Sequence, residues 1–414
     1  MTCKRLRLVI ILFIFIITSL LMSEISYSQD EKVYSLPDLT IKKVIPFQNY
    51  NNLIIIPVII NNQFSTKFIL DSGARSTVLI ERAIADLLQI PLAKQIIVHG
   101  AGLQEEVVAY IAHGVSIVPD GVVGDTTTIY VLERDYLDLP KYLGIEVHGI
   151  LGYGFFKDFI VEVNYLRNEI ILHDPEEYHP PRRYNAVDID FINNKPYINV
   201  ELELEDGKKE KGEMLIDLGA SHAALIELKN NIGVTIPENH IETSLGRGLS
   251  GDILGYIARV KAISFSDYSF NNVVSSYTYG YSKIKQHGRL GTLGGDLFCR
   301  FNVIFDYSKE KMYLKPNKQY SKSFEYNMSG LELLAFGLKY KRIKVSGVVE
   351  DSPAFIAGLQ EGDEIIRCNW VSVRYSNLNW ITSQLRAHDG KKMRLVILRD
   401  GKKMRFSFKL KKYI

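Results

Sequence analysis

The chain has 414 residues, which at about 100 to 200 residues per domain corresponds to two to four folded units. Hydrophobic residues make up 46% and charged residues 23%, values that fit globular protein and exclude a collagen-like or largely disordered chain. The net charge of +3 is too balanced for a protein that mainly wraps nucleic acid, so no nucleic-acid partner is expected. Three cysteines allow neither a disulfide framework nor a Cys-rich zinc site, so no metal is expected.

The first 28 residues have the pattern of a signal peptide. Three basic residues precede the apolar run 8–22, and Ser26-Tyr27-Ser28 places small residues at the spacing of a signal-peptidase site. Cleavage after Ser28 predicts export to the periplasm, the cell envelope or the medium. The alternative is an uncleaved membrane anchor, but 15 apolar residues fall short of the roughly 20 that span a bilayer.

Two segments of the chain repeat one ordered pattern. In the first, apolar strands at 54–60 and 64–70 flank an Asn-Asn turn and lead into Asp71-Ser72-Gly73-Ala74. In the second, strands at 197–204 and 212–216 flank an Asp-Gly turn and lead into Asp217-Leu218-Gly219-Ala220. The strands therefore deliver one Asp-x-Gly-Ala sequence in each segment.

The same features follow each Asp-x-Gly-Ala in the same order. A Gly-rich turn comes first, then an apolar-apolar-Gly sequence (150–152 and 292–294), then a hairpin (160–172 and 303–314). The glycines of the two turns are Gly100 and Gly102 in the first segment and Gly246 and Gly248 in the second. We therefore predict two homologous β-rich lobes, at residues 29–178 and 184–318, joined near Pro180-Pro181.

The repeated aspartates indicate acid-base chemistry. An apolar strand that ends in Asp before a Gly places a carboxylate at a tight turn where the backbone can be approached closely. Two such carboxylates, one from each lobe, can face each other and share a proton, because they cannot both ionise at short distance. One then acts as base towards a water molecule while the other protonates the carbonyl under attack.

At these residues the chain resembles the aspartic peptidases, in the form of a retropepsin-like half duplicated within one chain as in pepsin. The resemblance covers roughly residues 44–318 and implies a monomeric endopeptidase that acts on polypeptides without a metal or organic cofactor. It assigns Asp71 and Asp217 as the catalytic pair. It also implies active-site turns at Ser72, Gly73 and Ala74 and at Leu218, Gly219 and Ala220, and flap hairpins at the four turn glycines.

One position departs from the family pattern. In the family, the residue after each catalytic Asp is Thr or Ser, and its hydroxyl ties the two turns together. Ser72 fits this pattern, but Leu218 has no hydroxyl. The competing hypothesis is therefore a catalytically silent peptide-binding protein on the same scaffold. Alanine at positions 74 and 220 is similar to the retroviral form. Neither alanine offers a hydroxyl to the ionised carboxylates, which predicts a raised pKa for the pair and activity from mildly acidic to near-neutral pH.

The last residues predict a separate small domain at 329–414. From residue 330 onward the chain has 17 Lys or Arg against 8 Asp or Glu, and a polar stretch at 318–328 reads as a linker. Strands are predicted at 343–349, 364–368, 394–398 and 404–410, with a short helix capped by Ser352-Pro353 and a second helix at 377–386.

This domain resembles bacterial PDZ domains, most specifically at Ser352-Pro353-Ala354 and at 358–363. The resemblance implies that a peptide adds as a strand beside the second helix, with its C-terminal carboxylate in a nest of backbone N–H groups. We assign the site to Gly330, Leu331, Leu333 and Leu385, with 337–340 as the rival nest. The alternatives are a packing module without a ligand and an envelope scaffold that works through this basic domain. The predicted fold is mainly β: two aspartic-protease lobes and a small α+β PDZ domain.

Overall fold

The computed structural model describes residues 32–98, 106–228, 233–279 and 289–414. The predicted signal peptide and the flap glycines Gly100 and Gly102 lie outside the described residues. Within these ranges no helix is both long enough and apolar enough to cross a membrane. The fold is mainly β, as the sequence predicts. We call residues 33–178 the first region, 184–318 the second region and 329–414 the C-terminal region.

The first region consists of strands and three short helices. They are β1 Tyr34–Ser35, β2 Lys42–Pro46, β3 Gln48–Tyr50, β4 Leu53–Ile60, β5 Phe64–Leu70, β6 Val78–Leu79, α1 Arg82–Leu87, β7 Leu92–Val98, β8 Val107–Val115, β9 Ile117–Pro119, β10 Val123–Gly124, β11 Thr127–Leu132, α2 Leu139–Leu143, β12 Gly149–Leu151, α3 Tyr153–Asp158, β13 Ile160–Asn164 and β14 Glu169–His173.

The second region has longer strands. They are β15 Asn185–Asp188, β16 Asp190–Ile192, β17 Lys195–Glu203, β18 Lys209–Asp217, β19 Ala224–Glu227, β20 His240–Gly248, β21 Gly251–Phe265, β22 Tyr268–Thr278, β23 Gly291–Gly294, β24 Phe301–Asp306 and β25 Lys311–Pro316, with helix α4 Gly295–Phe298. The predicted strand pairs 54–60/64–70 and 197–204/212–216 are confirmed as β4/β5 and β17/β18. Both residues of the Asn61-Asn62 turn have positive φ, as a tight hairpin turn of the I′ type requires.

The main sheets of these two regions have the same strand order. The order is β3-β4-β5-β12-β6-β11-β8-β7 in the first region and β16-β17-β18-β23-β19-β22-β21-β20 in the second. Strands at the same place in the two orders correspond, so β5 corresponds to β18 and β12 to β23. In both, the strand that leads to an aspartate (β5 or β18) runs parallel to the strand of the apolar-apolar-Gly sequence (β12 or β23). The aspartates therefore occupy equivalent places in two similar sheets.

A third sheet joins the two regions. Its order is β15-β25-β24-β13-β14-β2, and its centre is the antiparallel pair β13/β24, where Val161 lies opposite Phe305. The predicted hairpins at 160–172 and 303–314 are confirmed as β13/β14 and β24/β25. One continuous apolar core fills the space between the sheets; its largest fully buried side chains include Phe68, Phe155, Phe156, Phe159, Phe298, Phe301 and Phe305.

The C-terminal region has its own sheet and core. Its elements are β26 Leu331–Phe336, β27 Arg342–Val348, α5 Pro353–Ile356, β28 Glu364–Cys368, β29 Val371–Ser372, α6 Leu378–Leu385, β30 Lys392–Arg399 and β31 Lys402–Lys409. The sheet order is β26-β27-β28-β30-β31, with β29 on β28, so β26 is an edge strand. The predicted cap at Ser352 is confirmed, since its Oγ accepts from the N–H of Phe355. The second helix has a cap as well, because the Asn377 side chain accepts from the N–H of Trp380.

The stretch 318–328 is not the free linker that its polarity suggests. The Arg300 guanidinium donates to the carbonyl oxygens of Gln319, Lys322 and Ser323 and lies 3.5 Å from the ring centre of Phe324. One arginine thus satisfies several carbonyls of an irregular chain and holds it against the second region. Such a contact leaves no periodic pattern in the sequence.

Candidate active site

The two Asp-x-Gly turns are built in the same way. The Asp71 N–H donates to the carbonyl oxygen of Leu151 at 2.9 Å, and Asp217 lies opposite Gly294 in the parallel pair β18/β23. The N–H of Gly73 donates to Asp71 Oδ1 at 2.7 Å, and the N–H of Gly219 donates to Asp217 Oδ1 at 2.9 Å. Each carboxylate is therefore oriented by the glycine of its own turn, which favours a single side-chain position.

The two turns face each other across the junction of the regions. A Cβ atom on Gly73 would lie 2.8 Å from the carboxyl carbon of Asp217, and a Cβ on Gly219 would lie 2.4 Å from that of Asp71. Real Cβ atoms do not approach so closely, so each position needs glycine to leave room for the opposite carboxylate. The structure thus brings together Asp71 and Asp217, which are 146 positions apart in the sequence.

Burial and proximity favour a shared proton. Removal from water raises the pKa of Asp71 well above its usual range, and the negative charge of Asp217 and a hydrogen bond between the two carboxyl groups raise it further. The N–H of Gly73 and the charge of Lys195 act in the opposite direction. The pair can accordingly hold one proton between two carboxyl groups at a pH where an exposed pair would have lost both.

A single hydroxyl ties the turns together. Ser72 is fully buried; its Oγ donates to the carbonyl oxygen of Ile216 at 2.8 Å and accepts from the N–H of Leu218 at 3.0 Å. The Leu218 side chain is also fully buried, and it packs in the large apolar core. The missing hydroxyl at position 218 is therefore replaced by an apolar side chain directed into the core.

The apolar-apolar-Gly sequences at 150–152 and 292–294 support the two Asp-x-Gly turns. A Cβ on Gly152 would lie 2.5 Å from the carbonyl oxygen of Ala74, and one on Gly294 would lie 2.7 Å from that of Ala220. The N–H groups of Tyr153 and Gly295 donate to these same two oxygens, at 2.9 and 2.7 Å. The two supports are equivalent, and each holds one Asp-x-Gly turn against its sheet.

Sequence reasoning missed Lys195 as a neighbour of the dyad. It begins β17 after the Asn193-Asn194 turn, and its charge acts on both aspartates. Burial lowers the pKa of its ammonium group. The repeat offered a signal, because the first residue of β4, at the equivalent place, is the apolar Leu53.

His222 lies near Asp217 and is also buried at its ring. Burial lowers its pKa to about 4, so the imidazole is neutral at the pH where the dyad would work. Its Nε2 has no hydrogen-bond partner among the described residues. Across the described ranges no three His, Cys, Asp or Glu side chains gather in a way that could hold a metal ion.

The predicted second flap is the hairpin β20/β21. Gly246 and Gly248 lie near its tip, and Gly246 has a φ of 125° at a bulge in the pairing. The tip reaches the first region, where the Nε of Arg247 donates to the carbonyl oxygen of Tyr136 at 2.7 Å. Leu249 packs there against an apolar cluster that includes Tyr136 and Leu143.

The residues assigned to the C-terminal peptide site lie in the C-terminal region and do not join the dyad. Leu331 and Leu385 belong to its apolar core, and Leu333 packs against that core. Gly330 has a φ of 79° and accepts from the N–H of Val349. In the rival nest, Leu338 is exposed.

Comparison with known proteins finds a similarity to aspartyl proteases in the first region. Residues 56–155 match the family model described as aspartyl protease, a range that includes Asp71 and Leu151 but not Asp217. Over 156 residues the chain is 32% identical to the carboxy-terminal processing protease CtpB of Bacillus subtilis (strain 168). The aligned stretch covers 37% of this chain and 32% of that protein. The chain thus spans about a third of the length of this relative.

A solved structure of an aspartic proteinase from Irpex lacteus is a distant neighbour. It matches with a TM-score of 0.40 and 10% identity, covering 68% of this chain and 99% of its own. The likeness is too low to carry an argument. Residues 56–155 are thus similar to aspartyl proteases, and this similarity supports a peptidase among the hydrolases.

Proposed function

We propose that the chain is an aspartic endopeptidase in which Asp71 and Asp217 form the catalytic pair. The observation that carries this proposal is the reciprocal approach of each carboxyl group to the glycine of the opposite turn. An arrangement that brings two carboxyl groups together costs free energy in the folded state, because burial and the charge of the neighbouring carboxylate disfavour the ionisation of Asp71. Such a cost persists at sites where the pair performs acid-base chemistry.

The mechanism follows from one shared proton. The ionised carboxylate removes a proton from a water molecule, whose oxygen attacks the carbonyl carbon of the peptide bond, while the protonated carboxyl group gives its proton to the carbonyl oxygen. The resulting diol intermediate collapses when a carboxylate takes back a hydroxyl proton and the peptide nitrogen, protonated by the other carboxyl group, leaves as the amine. The dyad ends with one proton, as it began.

We further propose that the first and second regions are duplicated lobes, with boundaries at 29–178 and 184–318. The identical strand order of their main sheets and the symmetric order of the shared sheet support this proposal. The C-terminal region, 329–414, is proposed as a PDZ domain, because β26 is an edge strand that has α6 packed beside it. A peptide strand could add at that edge.

We also propose that the protein is exported and monomeric. The basic residues, apolar run and small residues of 1–28 support an exported protein of the periplasm, the envelope or the medium. Both aspartates come from one chain, so the proposed site is complete without a second copy.

The test is hydrolysis of a peptide library by the full chain and by Asp71→Asn and Asp217→Asn. Each substitution should abolish cleavage, because the two carboxyl groups act as a unit. Asp86→Asn, at an exposed position of α1, is the matched control and should keep wild-type rates. A statine-type transition-state inhibitor should block the wild type. Wild-type cleavage by both dyad variants would refute the site assignment.

Leu218 favours a second candidate, a peptide-binding protein without catalytic activity. Its side chain provides no hydroxyl to the turn that carries Asp217. In that case the wild-type chain binds the statine-type inhibitor, measured by calorimetry, but cleaves no peptide over a range of pH.

A further inference from the structure

At the groove between β26 and α6, the C-terminal region contacts another part of the same chain. Helix α2 of the first region packs against β26, on the sheet edge where an added peptide strand would lie. The identification of this edge as a peptide site rests on the PDZ domain proposed above. The occupant is present in cis, at a high effective concentration.

The fit at this contact is close. Gly144 ends α2 with a φ of 73°, and a Cβ atom on it would lie 3.1 Å from the Cβ of Leu378 on α6 and 3.6 Å from that of Ala335 on β26. Asn379 of α6 accepts from the N–H of Asn51 at 3.0 Å and donates to the carbonyl oxygen of Asn49 at 3.2 Å. The packing at Gly144 involves the end of α2, whereas the two hydrogen bonds of Asn379 come from the turn between β3 and β4, so two separate parts of the first region hold the C-terminal region.

The occupying segment, residues 136–144, also holds the tip of the hairpin β20/β21. The carbonyl oxygen of Tyr136 accepts the bond from Arg247, and Leu249 packs with Tyr136, Leu139 and Leu143. Tyr142 lies close enough to Arg247 and Asp252 for their charges to act on its hydroxyl. The segment thus lies between the C-terminal region and the hairpin that bridges the two aspartate-bearing regions.

We propose that residues 136–144 are an internal ligand of the C-terminal region, and that an extended peptide that displaces them releases the β20/β21 hairpin and opens the active-site cleft. An incoming strand cannot pair with β26 while α2 covers that edge. A peptide that binds the released state alone therefore shifts the population towards it. Without the peptide, the hairpin tip stays bound to the first region and restricts substrate entry.

The first test compares Gly144→Val with Gly114→Val in the full chain. Both glycines have positive φ, 73° and 69°, so both substitutions strain the backbone, but a Cβ on Gly114 has open space around it. Only Gly144→Val should push Leu378 and β26 away. We expect several-fold higher kcat/KM for this variant alone, together with faster amide hydrogen exchange in residues 240–258. Equal exchange and equal activity in both variants would overturn the proposal.

The second test closes the contact covalently. The distance of 3.6 Å between the Cβ positions of residues 144 and 335 suits a disulfide, so the double variant Gly144→Cys, Ala335→Cys can be locked by oxidation. The locked form should cleave slowly and recover on reduction, whereas Ala335→Cys alone should not respond. Unchanged activity on locking, or a gain, would contradict the proposal.

Hydrogen exchange separates this inference from the proposed function. The exchange of residues 240–258 reports hairpin release without any catalysis. If no variant cleaves peptides but exchange still rises in Gly144→Val and falls in the locked form, the peptidase function is wrong and the coupling stands. If peptides are cleaved but neither variant changes the exchange, the coupling is wrong and the peptidase stands.

Discussion

The Oγ of Ser72 accepts a hydrogen bond of 3.0 Å from the backbone N–H of Leu218. The same hydroxyl donates to the carbonyl oxygen of Ile216, so one side chain joins the first aspartate turn to both sides of the second. The tie is asymmetric, because Leu218 contributes its backbone while its side chain packs in the core. The turn that carries Asp217 therefore depends on a residue 145 positions earlier in the chain.

Ser72→Ala should loosen the dyad. The substitution leaves the buried N–H of Leu218 and the carbonyl of Ile216 without this partner, which costs about 1–3 kcal/mol of unfolding free energy. We expect kcat to fall by more than KM changes, because the aspartates lose their relative position. Urea unfolding and steady-state kinetics measure both effects. Ser72→Thr keeps the hydroxyl and should keep activity. If Ser72→Thr lost as much activity as Ser72→Ala, the hydroxyl would not be the group that positions the aspartates.

Leu218→Thr should destabilise the protein. The family pattern alone suggests a gain from a second hydroxyl, but the buried leucine fills core volume, and its removal leaves a cavity and a buried polar group. The expected loss is about 2 kcal/mol or more of unfolding free energy, by analogy with other truncations of buried leucine. Urea unfolding provides the measurement. An increase in stability or turnover would show that the second turn can adopt the symmetric tie.

Gly73→Ala should abolish activity. Its Cβ would lie 2.8 Å from the carboxyl carbon of Asp217, so the two turns would have to move apart. Gly154→Ala is a matched control in α3, because a Cβ there meets nothing within 4 Å. The measurements are the initial rate of peptide cleavage and the melting temperature of both variants. Wild-type rates in Gly73→Ala would show that the facing arrangement of the turns is not required.

Lys195→Met should move the alkaline limb of the pH–rate profile to higher pH. The positive charge of Lys195 favours the ionised form of Asp71 and so lowers its pKa, and removal of that charge raises it. The dyad then keeps its proton to higher pH. Lys195→Arg retains the charge and should leave the limb where it is. A shift towards lower pH in Lys195→Met would mean that the lysine acts by some route other than its charge.

The stability of Asp71→Asn relative to the wild type should increase as the pH rises. The pKa of Asp71 is raised in the folded protein, so the folded state keeps a proton that the unfolded chain releases above its ordinary pKa of about 4. The wild type therefore loses stability with rising pH until the folded pKa is reached, and the Asn variant does not. Melting temperatures between pH 3.5 and pH 7 measure this difference. A difference that shrinks with rising pH would contradict the raised pKa.

Much of the candidate site was predictable from the sequence because its signals are local. Asp71 and Asp217 each follow an apolar strand and precede a glycine, and the hairpins appear as paired apolar strands around turn residues. The repetition of the ordered pattern indicated that the two aspartates belong together. The Ser352 cap was also predictable, since a cap involves residues within one turn of the helix.

The sequence by itself determined the mainly β fold, the two Asp-x-Gly turns and the elements of the C-terminal region, because strand alternation, turn chemistry and helix caps act between neighbours in the chain. Only the tertiary structure decided that the Leu218 side chain packs in the core, that Lys195 acts on Asp71 and that Gly144 lies between β26 and α6. Each of these depends on how separate parts of the chain pack together, as in the separation of 124 positions between Lys195 and Asp71.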